Sequence, residues 1–60
     1  MLVGEILPVV NSSLKIRIVN GEQDMLAESQ NGNFDEDILL AEVIYFQPEW
    51  NEKVLRVEVQ

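Results

Sequence analysis

The chain has 60 residues, a net charge of −7 from eleven acids and four bases, and a hydrophobic share of 47%. It contains no Cys and no His, so neither disulfides nor the usual zinc ligands can staple it, and no thiol or imidazole is present for nucleophilic or acid–base chemistry. Such a length allows one small domain, residues 1–60, in which apolar burial and the cost of ordering the chain nearly cancel, so tight packing or a partner must supply any surplus.

Residues 2–10 are expected to form a first strand, interrupted at Gly4 and at Pro8, which has no N–H to give and belongs at an edge or bend. Asn11-Ser12-Ser13 is the first turn. It also matches a glycosylation sequon, but the opening Met1-Leu2-Val3-Gly4-Glu5 has neither the basic start nor the apolar stretch of a secretion signal. In Leu14-Lys15-Ile16-Arg17-Ile18-Val19, apolar and charged residues alternate with the period of a half-buried strand. Asn20-Gly21 then predicts a two-residue type I′ turn, which needs positive φ at both central residues. That turn sets Arg17 opposite Asp24, Ile16 opposite Met25 and Leu14 opposite Ala27, a hairpin over residues 14–27.

Asn31-Gly32-Asn33 marks the next turn, and Asp35-Glu36-Asp37-Ile38-Leu39-Leu40 allows one short helical turn near residues 35–40, capped by Asn33 with Glu36 three residues on. A second hairpin is expected over residues 41–59. Lys53 to Val59 alternates with Leu55, Val57 and Val59 inward, and Glu42-Val43-Ile44-Tyr45-Phe46 has the β-branched and aromatic content of a strand. Setting Glu42 opposite Arg56 avoids a clash with Glu58 and turns Ala41, Val43 and Tyr45 inward. Pro48 suits the first corner of the connecting turn and Asn51 its left-handed position. Turn signals recur about every ten residues, so the predicted fold is all-β and mainly antiparallel: a small five-stranded barrel or rolled sheet built around the two hairpins.

Three features bear on function. On the predicted strand before Pro48, Ile44 and Phe46 face outward while Val43 and Tyr45 face inward, and one small core can cover only one side of a sheet. Trp50 follows in the turn, either as a lid over the barrel end, with Phe34 and Tyr45 in the core, or as a binding anchor. Ile44, Phe46 and Trp50 are therefore the candidate interaction surface.

The second feature is a run of nine acids with no base between Arg17 and Lys53, within which Asp35, Glu36 and Asp37 form a candidate acidic patch. Carboxylates in such an array can imitate nucleic-acid phosphates; they also keep a chain soluble and guard strand edges. Third, counting from Asn31 as position one, Asn33, Asp35 and Glu42 fall at positions three, five and twelve of a calcium loop, with Ile38 at eight. Asn in place of Asp at position one, and Glu36 where a sharp turn needs Gly, speak against calcium, so no metal or cofactor is expected.

The charge disfavours direct contact with nucleic acid or anionic membranes, and the apolar runs are far shorter than a span needs. The expected function is that of a non-catalytic cytoplasmic protein that binds another protein or its own copies. The alternative is an acidic nucleic-acid mimic that blocks a basic DNA- or RNA-binding protein, of the kind used by phage and mobile elements.

Overall fold

The computed structural model describes residues 1–9, 14–30 and 32–60; Val10, the expected turn at Asn11-Ser12-Ser13, and Asn31 lie outside the described residues. The alternating pattern does build the two inner strands. In β1 (Lys15–Val19), Ile16 and Ile18 are buried on one face while Lys15 and Arg17 stand on the other. After β2 (Met25–Ser29), α2 (Glu36–Leu39) and β3 (Val43–Glu49), the last strand β4 (Val54–Val59) brings Leu55, Val57 and Val59 into the same apolar cluster as Ile16 and Ile18. β1 and β4 run parallel, with Ile16 beside Leu55 and Ile18 beside Val57. β2 pairs antiparallel with β1, and β3 with β4, giving the order β2-β1-β4-β3.

The described residues thus form an open, mixed sheet of four strands, mostly β but neither five-stranded nor closed into a barrel. Closure would need β2 to meet β3, and these are the two opposite edges. The expected first strand is absent because residues 3–9 are helical: α1 (Val3–Ile6) leads into a 3-10 turn (Leu7–Val9). Leu2, Val3, Ile6 and Leu7 share one side of a helix, three to four residues apart. Glu5 secures the start of α1, its Oε1 accepting from the Leu2 amide at 2.7 Å. Val3 and Ile6 complete the core under the sheet, and Ile38 and Leu39 of α2 pack against it from the connection between the hairpins. The helical turn expected near residues 35–40 is present, with Asp35 rather than Asn33 at its N-cap.

Both hairpins form, in registers other than those predicted. Asn20 Oδ1 accepts from the Glu22 and Asp24 amides at 2.9 and 3.0 Å, and Gln23 takes the left-handed position at φ 69°. This is a three-residue loop with a left-handed last residue, not a type I′ turn, since Gly21 is not at positive φ. With Leu26 as an extra, bulged residue, Ile18 then meets Ala27 and Arg17 meets Glu28 instead of Asp24.

In the second hairpin the loop is residues 50–53, and Lys53, at φ 56°, rather than Asn51, is left-handed. Pro48 remains inside β3 opposite Leu55, which an edge strand tolerates. Ile44 is the extra residue of a second bulge. Beyond it the faces exchange: Val43 lies opposite Val59, Tyr45 opposite Glu58, Phe46 opposite Val57, and Arg56 meets Gln47 rather than Glu42. Phe46 is therefore on the helix-bearing face and Tyr45 on the other, the reverse of the expectation.

Candidate interaction surface

The face of the sheet away from the helices is closed by polar side chains. Arg17 and Arg56 are direct neighbours across β1 and β4, a like-charge pair that needs compensation. Arg17 Nε donates to Glu28 at 2.8 Å and its Nη1 lies 3.5 Å from Glu52. Arg56 donates from Nη1 to Gln23 Oε1 at 2.7 Å and from Nη2 to Gln47 Oε1 at 3.4 Å, with Glu49 at 3.7 Å from its Nε. Gln23 Nε2 passes the chain on to Glu58 at 2.8 Å, and the Tyr45 hydroxyl donates to Gln47 at 3.2 Å. Hydrogen bonding to Arg17, with Lys15 nearby at 3.6 Å, holds the Glu28 carboxyl below its ordinary range, and the same contact raises Arg17. A shallow groove lined by Arg17, Val19, Gln23, Met25, Glu28 and Arg56 runs over this face. Both guanidinium groups there are already engaged by oxygens of the chain itself, so the groove offers no free cation.

The apolar exposure lies elsewhere, at the outer edge of the second hairpin. Ile44 is 56% exposed, Tyr45 53%, Phe46 49% and Trp50 66%. Trp50 is not a lid, and Tyr45 is not core. Phe34 does pack against the core, half-buried. Ile44 and Phe46 lie along one edge strand and Trp50 in the turn that follows it, with Phe46 on the helix-bearing face rather than the opposite one. Tyr45 joins them; the bulge that turns it outward left no mark in the alternation. The other edge carries Met25 and Leu26, 60% and 48% exposed.

The backbone at this edge is partly free. The first residues already lie along the start of the strand: the Val3 amide bonds to the Ala41 carbonyl at 3.0 Å, and the Val43 amide to the Met1 carbonyl at 2.7 Å. Past the bulge, β4 is the one strand beside β3 among the described residues. In an antiparallel pair, residues that exchange both bonds alternate with residues that exchange none. Pro48 has no N–H, so the bonding residues facing β4 are Tyr45, Gln47 and Glu49, and Phe46 turns its N–H and C=O outward.

Asp35, Glu36 and Asp37 are exposed at the start of α2 and enter no ion pair among the described residues. Acids there favour the helix N-terminus electrostatically, which accounts for them locally. Among the described residues no group of three or more Asp or Glu is placed to hold a metal ion, and the first position of the expected calcium loop, Asn31, lies outside them. No described helix is long and apolar enough to cross a membrane. Comparison with protein-family models, with curated proteins and with solved structures finds no match to this chain.

Proposed function

We propose that this chain is a non-catalytic binding protein that holds another polypeptide on the outer edge of its second hairpin, through Ile44, Phe46 and Trp50. One observation carries the reading. The chain has four aromatic residues, and three of them, Tyr45, Phe46 and Trp50, stand about half exposed or more within six consecutive positions. Its core is built instead from Val, Ile and Leu. A small domain has most need of its largest side chains inside, and aromatic residues on a surface are the type that anchors interfaces. A composition that calls for no oxidising compartment fits action in the cytoplasm.

The test is site-specific photo-crosslinking of the full chain in living cells, with the reactive residue placed in turn at positions 46, 50 and 36. Adducts to a polypeptide, of whatever identity, are expected from positions 46 and 50 and not from Glu36. Adducts from position 36 alone would move the binding face to the acidic patch and favour the nucleic-acid mimic. An absence of adducts from 46 and 50 would overturn the proposal.

A further inference from the structure

We infer that the occupant of this surface is a second copy of the chain, paired antiparallel along β3 about a two-fold axis at Phe46; the inference rests on the reading above. The outward N–H and C=O of Phe46 are complementary to themselves, so an axis at that residue lets each copy donate to and accept from the other. Ile44 then lies beside the partner's Pro48, where the missing N–H removes one bond at each end and leaves the central pair intact. The two Phe46 rings meet on the same face, next to the part of the sheet that the helices leave open.

The paired stretch and its limits suit this occupant, although the net charge of the whole chain opposes it. No charged residue falls between Glu42 and Glu49, so the paired stretch places no acid against an acid. Glu49 and Glu52, at the end of the hairpin, are each tied to an Arg of their own chain. Of the acids without an ion pair among the described residues, Glu22, Asp24, Asp35, Glu36 and Asp37 lie away from β3, Glu5 accepts from the Leu2 amide, and Glu58, opposite Tyr45 on β4, accepts from Gln23. Met1–Val3 already fills the edge at Ala41–Val43, so the pairing stops after residues 44–48 and closes as a dimer instead of growing. Each end brings Trp50 of one copy to Met1 of the other, itself 59% exposed.

Three half-exposed aromatics, Ile44 and the adjoining backbone amount to roughly 500 Å² per copy, or about 1,000 Å² in the pair, the lower bound for a specific interface. The dimer should therefore come apart on dilution, and added salt should strengthen it by screening two chains of charge −7.

Sedimentation equilibrium and thermal unfolding of the full chain, over roughly a thousandfold range of concentration, provide the test. The mass should climb from 6.9 kDa towards twice that value, and the unfolding midpoint should rise with it. Phe46→Glu and Phe46→Lys should each be monomeric alone and should associate when mixed, because the axis sets the two charges side by side. Leu26→Glu, on the opposite edge, should dimerise like the parent. Should the charged variants fail to fold, isotope-filtered NOEs on the unaltered chain must still connect Phe46 of a labelled copy with Ile44 or Phe46 of an unlabelled one. A mass of 6.9 kDa at every concentration, self-association of either charged variant, or a dimer without those NOEs would overturn the inference. Cellular adducts from positions 46 and 50 to a different protein, with a monomeric pure chain, would end the dimer while keeping the binding surface.

Discussion

β3 and β4 are the two arms of one hairpin, yet burial treats them oppositely. β4 carries Arg56 and Glu58, and still Val54, Leu55, Val57 and Val59 are all buried. β3 has an uncharged apolar stretch from Val43 to Phe46, and yet Ile44, Tyr45 and Phe46 are all exposed. Position in the sheet, not hydropathy, makes the difference. Four strands spaced about 4.8 Å apart span on the order of 14 Å between the outermost axes. α1 and α2 have four residues each, so each is about 6 Å long. Two such helices can roof the central parallel pair, and they do: Val3, Ile6, Ile38 and Leu39 all contact the core that β1 and β4 make. Among the described residues, no further α-helix remains to cover an edge.

The division is broken most directly by one chemical change made in both places. Ile18→Ala removes a fully buried side chain from the roofed pair and should cost about 3–4 kcal/mol, enough to threaten folding in a domain of this size. Ile44→Ala removes the same atoms from the edge and should cost less than about 1 kcal/mol in the monomer. Urea unfolding at low protein concentration compares them. Equal losses would mean that the edge is structural and not open.

Gly32 tests how the roof is held on the β2 side. It adopts φ +74°, with Leu7 and Ile16 side chains next to it. A Cβ there would make ordinary contact, 3.5 Å from Leu7, so the expected loss of about 1–2 kcal/mol in Gly32→Ala comes from the left-handed backbone, and Gly32→Asn should recover part of it. Asn20→Ala should cost about 1 kcal/mol, since it leaves the Glu22 and Asp24 amides without their acceptor. A loss at Asn20 as large as that at Ile18 would contradict the primacy of the roofed pair.

The inner strands were legible in the amino-acid pattern because period-two alternation is a local property: Ile16 and Ile18, and Leu55, Val57 and Val59, face the core as the pattern requires. The helical turn at Glu36–Leu39 was legible only as a possibility, from a capping signal at Asn33 and Glu36, and its N-cap is Asp35 instead. Registers were not. A single bulge at Leu26 or Ile44 moves every later pair and exchanges the faces, and nothing in Met25-Leu26-Ala27 or Val43-Ile44-Tyr45 distinguishes the extra residue. The parallel pairing of the first and last strands is a contact between distant segments, invisible to any local pattern. α1 is hidden in the sequence because Gly4 and Pro8 read as breaks in a strand, although the spacing of Val3, Ile6 and Leu7 has helical period. Of the candidate surface, Ile44 and Phe46 follow from an alternation that turns them outward and Tyr45 inward; the bulge at Ile44 reverses that facing, and because β3 is an edge strand Phe46 and Tyr45 are both exposed all the same.

The smallest effect separates the polar face from the apolar edge by pH. The Glu28 carboxyl sits below its ordinary value near 4.5 because Arg17 donates to it, whereas in the unfolded chain that bond is gone. Above the ordinary value both states are ionised and the contact stabilises the fold in full. As pH falls through the lowered value, Glu28 takes up its proton and the contribution disappears. Carboxyl NMR titration should place Glu28 below the usual range, and Arg17→Met should return it upward, leaving only the weaker Lys15 contact at 3.6 Å. The stability gap between parent and Arg17→Met should shrink on acidification and, since the pair is solvent-exposed, on adding salt. The stretch paired through Phe46 contains no carboxyl, so on acidification at fixed concentration dimerisation should follow net charge alone. If acid instead weakened the dimer in step with Glu28, the two sides of the sheet would be coupled, and β3 could no longer be treated as an edge independent of the ion network behind it.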